Sequence, residues 1–220
     1  GLKTSYAYDE NGNLNSYVTP MGHKTTFTYD VLDRMQKAVN PTGMITELKY
    51  DAVGNIKEVT ENGGHATKYT YDGEGNMLSE TNALDQTTKY SYDSRNRLME
   101  EEDAAGSKTQ YGYDQNDRLT KIRDANGSEI SMEYDGNGNI SSMEDGSDRS
   151  IRYEYDKNDR LLQSPTGEDT EIMTVSYQYD DRDNLITQTD GNGNTTSFTY
   201  DKLDKLTSKT NPLSQMETYE

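Results

Sequence analysis

Residues 25–35 read Thr25-Thr26-Phe27-Thr28-Tyr29-Asp30-Val31-Leu32-Asp33-Arg34-Met35. The first half alternates large and polar side chains with a period of two, which is the pattern of a half-buried β-strand. The middle is turn-like, and Met35 opens a second, more polar segment. Working outward, the Tyr29-Asp30 pair returns on a fixed beat. Pairs begin at Tyr8, Tyr29, Tyr50, Tyr71, Tyr92, Tyr113, Tyr134 and Tyr155, always 21 residues apart; Tyr179 and Tyr200 follow after intervals of 24 and 21. A period of this length is the signature of a stacked-repeat architecture, because each short unit can bury apolar surface only against its neighbours.

The surrounding positions repeat too. Two residues before each Tyr stands a large apolar side chain such as Tyr6, Phe27, Leu48, Tyr69 or Tyr90. Four before stands Thr, Ile or Val, and six after stands Leu, Met or Ile, as in Leu14, Met35, Ile56, Met77 and Leu98. Of the 18 Tyr and 2 Phe, only Tyr17 lies off the two tyrosine registers. Each unit is completed by a second turn carrying Gly22, Gly43, Gly64, Gly106, Gly127 or Gly193. Asn-Gly and Asp-Gly pairs at the turns populate the positive backbone angles that tight hairpins need. Helical periodicity is absent. The expected fold is all-β: an antiparallel up-and-down meander of about ten 21-residue hairpin repeats, residues 1–220 forming one continuous array. Open twisted sheets rarely exceed about ten strands without curling, so the ribbon should coil into a curved or spiral β-shell.

Composition narrows the functional classes. A net charge of −18 with only 30% hydrophobic residues is close to that of a disordered chain. The periodic placement of the apolar residues argues against disorder, since Tyr supplies large buried area and a hydroxyl that can still find a partner. Nucleic-acid binders need clustered Lys and Arg to neutralise phosphates, so the acidic balance excludes a nucleic-acid partner. No apolar run is long enough for a membrane span. The absence of cysteine removes disulfides and thiolate metal sites. The chain opens at Gly1 in mid-repeat and stops one residue short of its next Tyr, so it reads as a piece of a longer array.

No residue set suggests catalysis or a cofactor. The Asp after each Tyr occurs ten times, whereas catalysis needs one poised carboxylate; its expected role is to accept turn N–H groups. The runs Asp135-Gly136-Asn137-Gly138-Asn139 and Asp190-Gly191-Asn192-Gly193-Asn194 resemble the start of a calcium loop. Ile140 and Thr195 stand where that loop requires Gly, so no metal site is expected. His23 and His65 each follow a second-turn glycine and read as surface turn residues. The longer interval after Leu161 places three surplus residues near 165–169, in a loop that tolerates insertion.

Units such as Tyr50-Asp51-Ala52-Val53-Gly54-Asn55-Ile56 and Tyr155-Asp156-Lys157-Asn158-Asp159-Arg160-Leu161 resemble the YD repeat of the RHS family over nearly the whole chain. That resemblance implies bacterial RHS polymorphic toxins, the C subunits of Tc toxin complexes and animal teneurins as relatives. It implies a hollow β-shell which, in the toxins, encloses a C-terminal toxic domain. The segment that ends the shell and supports self-cleavage is not recognisable here, nor is a variable toxin tip, and no catalytic residue carries over. Lack of cysteine and the Lys/Asn/Glu-rich style lean towards a bacterial, secreted or cell-surface parent. The leading expectation is therefore a non-enzymatic cage-wall segment whose partner is a C-terminal toxin or cargo domain of the same chain. The alternative is a surface binding module for glycans or a partner protein, which would need exposed aromatics outside the two tyrosine registers.

Overall fold

The computed structural model describes residues 3–147, 150–166 and 173–219. The chain divides into two compact units, Gly1–Tyr111 and Gly112–Glu220. The first holds β1 (Ser5–Tyr8), β2 (Leu14–Val18), β3 (Lys24–Tyr29), β4 (Met35–Val39), β5 (Ile45–Tyr50), β6 (Ile56–Glu61), β7 (His65–Tyr71), β8 (Met77–Thr81), β9 (Thr87–Tyr92), β10 (Leu98–Glu102) and most of β11 (Lys108–Tyr113). Every strand in it pairs antiparallel with its neighbour in sequence. The fold class expected from the periodicity is the one observed.

The second unit continues with β12 (Leu119–Arg123), β13 (Glu129–Tyr134), β14 (Ile140–Glu144), β15 (Ser150–Arg152), β16 (Glu154–Tyr155), β17 (Leu161–Thr166), β18 (Met173–Tyr179), β19 (Leu185–Thr189), β20 (Thr195–Tyr200), β21 (Leu206–Thr210) and β22 (Met216–Thr218). Pairing again follows chain order, with one seam. At Tyr153 a single repeat strand is interrupted: β15 pairs back onto β14, whereas β16 pairs forward onto β17. The Tyr153 amide still donates to the Ser141 carbonyl at 3.0 Å. Of the longer turn expected near 165–169, residues 167–169 lie outside the described residues.

Pairing registers sort the side chains onto two faces. In the hairpins that begin at Tyr8, Tyr29, Tyr50, Tyr71, Tyr92, Tyr134, Tyr155, Tyr179 and Tyr200, Tyr pairs with the Leu, Met or Ile six residues on, and the register slips by one beside that pair. That slip is a β-bulge, which adds one residue to the second strand and moves its later side chains to the opposite face. Tyr17 therefore falls on the tyrosine face, opposite Tyr6, with ring centroids 6.4 Å from Tyr6 and 6.2 Å from Phe27. The aromatic that looked out of register belongs to a third register of the same face, which Ala38, Val59, Ile122 and Met143 also occupy. The opposite face carries cross-strand ion pairs, among them Lys37–Glu47 at 2.9 Å and Lys49–Glu58 and Lys121–Glu129 at 2.7 Å.

The aromatic registers are half-buried, where the sequence suggested buried ones. Among the described residues only Met132 and Val175 are buried apolar side chains, and none is sealed completely from solvent. A sheet whose faces are covered only by their own side chains gains less hydrophobic stabilisation than a two-layer core. Strand-to-strand hydrogen bonding must then carry a larger share.

Candidate functional site: the tyrosine and aspartate ladder

The residues of the repeat motif form a ladder of bonds between consecutive units. Nine of the Tyr-Asp turns are closed by a bond from the amide four residues after Tyr to the Asp carbonyl, and at Asp51 the Gly54 amide goes to the carboxylate at 2.7 Å. In the first, the Gly12 amide donates to the Asp9 carbonyl at 3.1 Å and the Asp9 amide to the Asn13 carbonyl at 2.9 Å. The fourth residue after Tyr lies at positive φ in all ten turns: Gly12, Gly54, Gly75 and Gly138 among the glycines, and Asp33, Asn96, Asp117, Asp159, Asp183 and Asp204 otherwise. Three-residue hairpin loops of this kind need one left-handed residue, not the two of an Asn-Gly turn. Two consecutive left-handed residues occur at Asn62-Gly63, φ 48° and 72°, in the loop between Glu61 and His65; there Gly63, and not Gly64, adopts positive φ. Replacing Gly138, φ 99°, with Ala should cost about 1 kcal/mol in stability, because a Cβ disfavours that backbone conformation. Denaturant midpoints of the two proteins check this.

The Asp of the motif closes its own turn, as expected from the sequence. Asp93 accepts the Arg95 and Arg97 amides on Oδ1 at 2.8 and 3.1 Å and the Arg97 Nε on Oδ2 at 2.8 Å. The Arg97 side chain, followed by the turn amides, holds its carboxyl down at about 2. Where the fifth residue is Asn, its Nδ2 replaces the guanidinium, as Asn76 does on Asp72 at 2.9 Å. Asp135 and Asp190, which open the calcium-like runs, spend their carboxylates in the same way on Asn137, Asn139, Asn192 and Asn194. No cluster of three or more metal-binding side chains occurs among the described residues. His23 is exposed beside a second turn, and His65 is an exposed first residue of β7.

Two further contacts link one unit to the next. The Tyr hydroxyl reaches back across the sheet to the carbonyl of the preceding unit's apolar anchor. Tyr29 donates to Leu14, Tyr50 to Met35, Tyr71 to Ile56, Tyr92 to Met77, Tyr134 to Leu119, Tyr179 to Leu161 and Tyr200 to Leu185, at 2.6–3.0 Å. The spacing is 15 residues, or 18 where the longer interval intervenes. The left-handed Asp or Asn supplies the second link. Asp33 accepts Nδ2 of both Asn11 and Asn13 from the preceding turn, and Asp159 accepts those of Asn137 and Asn139, at 2.7–2.9 Å. Asn96, Asp183 and Asp204 likewise accept a side-chain donor from the turn before them, Asn76, Arg160 and Asn184 in turn, and such bonds help hold these non-glycine residues in the left-handed region. Sequence reading missed this role; the signal was an Asp or Asn alternating with Gly at one register.

Where the fifth residue is Arg it does more. The Arg34 guanidinium sits 4.4 Å over the Tyr50 ring, Arg118 4.4 Å over Tyr134 and Arg160 4.9 Å over Tyr179. Arg160 also donates to Asp156, to the Asp180 carbonyl at 2.8 Å and to Asp183 at 2.9 Å. A planar fork is required to do all of this at once. Arg160→Lys should therefore lower the urea midpoint nearly as far as Arg160→Ala; a Lys variant as stable as the parent protein would show that the fork geometry contributes nothing. The second turns use the same Asx closure, with Asn40 Oδ1 accepting Thr42 and Met44 amides and Asp103 accepting Ala105 and Ser107.

The RHS-repeat family model matches residues 8–43, 134–169 and 175–215, together just over half of the sequence. The chain belongs to the RHS-repeat family. A second family model, the teneurin YD-shell, matches residues 42–145 and fills the gap between the first two RHS segments. No curated protein matches the sequence. Among solved structures, the RHS chain is similar to TcdB2–TccC3 without its hypervariable C-terminal region, with a TM-score of 0.62 at 19% identity, covering 94% of this chain and 14% of that one. It is similar to TcdB2–TccC3–Cdc42 with a TM-score of 0.58, at the same identity and coverage. The Photorhabdus luminescens Tc holotoxin pore matches with a TM-score of 0.55 at 19% identity, covering 94% and 15%. At that identity the likeness is one of fold, and this RHS chain spans about a seventh of the proteins it matches. In RHS terms, the Tyr of the YD pair is the link between units and the Asp is the turn lock.

Proposed function

We propose that this RHS chain is a wall segment of a hollow β-shell that encloses a C-terminal toxin or other cargo domain of a longer, secreted or surface-exposed bacterial protein. Its work is mechanical and not enzymatic. The observation that carries the reading is the Tyr ladder: each unit is bonded to the next through a hydroxyl–carbonyl link as well as through strand pairing. A sheet built that way holds together without a second packed layer, which suits a thin wall around a volume. The fold likeness to TcdB2–TccC3 supports the same reading. Residues 1–220 would act as one array within that wall.

The glycan alternative rested on an exposed aromatic outside the tyrosine registers. Tyr17, the one candidate, is half-buried and packed between Tyr6 and Phe27. No observation favours that reading.

The test is protection of the cargo. The longer parent is expressed with its C-terminal segment and challenged with protease, alongside the segment made alone. Survival of the segment only within the intact parent is the expected result. Equal digestion in both settings would end the containment reading.

A further inference from the structure

Five Asn-Gly pairs occur in the chain: Asn11-Gly12, Asn62-Gly63, Asn126-Gly127, Asn137-Gly138 and Asn192-Gly193. Asn-Gly is the pair whose glycine amide nitrogen can most readily reach the preceding side-chain carbonyl, because glycine carries no Cβ to hinder the approach. In four of the five that nitrogen is committed. Gly12, Gly127, Gly138 and Gly193 donate to the carbonyls of Asp9, Asp124, Asp135 and Asp190 at 2.9–3.2 Å, each as the closing bond of a turn. Using the nitrogen as a nucleophile would break that bond.

Asn62-Gly63 differs in three ways. It lies in the three-residue loop between β6 and β7, where the closing bond is made by Gly64 to Glu61 at 3.2 Å, and the Gly63 nitrogen donates to nothing among the described residues. The Asn62 Oδ1 accepts the Ile45 amide at 3.0 Å, a bond that draws electron density from the side-chain carbon and makes it a better electrophile. Asn62 is exposed, so hydroxide can reach the Gly63 N–H and released ammonia can leave.

We propose that Asn62 is a built-in deamidation site, converting in the folded protein ahead of the other four Asn-Gly pairs. The Gly63 nitrogen loses its proton to hydroxide and attacks Asn62 Cγ; the Cγ–Nδ2 bond breaks, ammonia takes a proton from water and departs, and a five-membered succinimide forms. Water then opens either succinimide carbonyl, yielding aspartate or isoaspartate. The product adds one negative charge at this hairpin, next to Glu61. The isoaspartate form also inserts a methylene into the backbone at the turn, where the Asn62 amide bonds the Ile45 carbonyl at 2.8 Å. This end of β5 and β6 would be the first place in the unit to loosen with age.

The experiment is prolonged incubation of the folded chain in mildly alkaline buffer at body temperature, followed by peptide mapping for the amide-to-acid mass gain and for isoaspartate. A parallel sample is held unfolded in urea. Conversion at Asn62 several-fold ahead of Asn11, Asn126, Asn137 and Asn192 in the folded sample, with similar rates at all five in urea, is the expected result. Conversion led by any of the other four in the folded protein, or the same ranking in both samples, would overturn the assignment. Gly63→Ala should slow conversion at residue 62 without changing the other four.

Discussion

Tyr92→Ala should lower the stability of the first unit by about 3 kcal/mol, and Tyr92→Phe by about 1 kcal/mol. Full truncation of a buried aromatic costs about 3–5 kcal/mol, and Tyr92 is half-buried, which puts its packing contribution nearer 2. The hydroxyl bond to the Met77 carbonyl, at 2.9 Å, adds a typical net hydrogen bond of about 1 kcal/mol. Because each unit contacts its chain neighbours, losing one link removes an interface term that the rest of the array cannot replace. Urea titration followed by tyrosine fluorescence measures both variants. A Phe variant as stable as the parent protein would mean that the hydroxyl link adds nothing beyond strand pairing. An Ala variant within about 1 kcal/mol of the parent would mean that the tyrosine face is not packed at all.

Acid should dismantle the turns together. Asp30, Asp93 and Asp156 are held below the usual carboxylate value first by the arginine four residues on, and Asp72, Asp135 and Asp180 first by the asparagine there. A carboxyl depressed on folding contributes stability that is present above its unfolded value of 3.8 and is lost as pH falls through the folded value. For Asp93 that window runs from 3.8 down to about 2. The turns share one chemistry and their carboxyls are all depressed, so their losses on acidification run in the same direction and add. Denaturant midpoints should hold steady from neutral pH down to the unfolded carboxylate value and then drop steeply. At the alkaline end, burial raises the Tyr71 and Tyr92 hydroxyls above 10.0. Their stabilisation is intact below 10.0 and disappears as they ionise above it, since a phenolate cannot donate to Ile56 or Met77. A midpoint that falls steadily between pH 5 and 8 would show that some other group governs stability; His23 and His65, both exposed, are the only histidines.

Much of this architecture was legible in the sequence because a hairpin is a local object. Alternation around Phe27 and Tyr29, Asp at each strand end and the Asn-Gly and Asp-Gly pairs specify strand, turn lock and, where Gly stands there, the left-handed residue within a dozen positions. The same locality made the Asp readable as a turn acceptor. The destination of the Tyr hydroxyl was not legible. Its acceptor is a backbone carbonyl, which every residue has, so no residue type marks Met77 or Leu14 as the partner. Tyr17 was misplaced for a related reason. A one-residue bulge after each Leu or Met shifts the face on which later side chains stand, and period-two counting across that bulge comes out wrong.

The sequence alone therefore determined an all-β array of hairpins, its repeat length, the positions of its turns and the residues that close them, since each of those is decided by backbone preferences over a few consecutive residues. The tertiary structure decided the rest: which carbonyl each tyrosine grips, that Asp33 and Asp159 brace the turn before them, that the face is half-buried, and that a strand breaks at Tyr153. Those depend on distances between residues one full unit apart, and such distances exist only once neighbouring strands have paired.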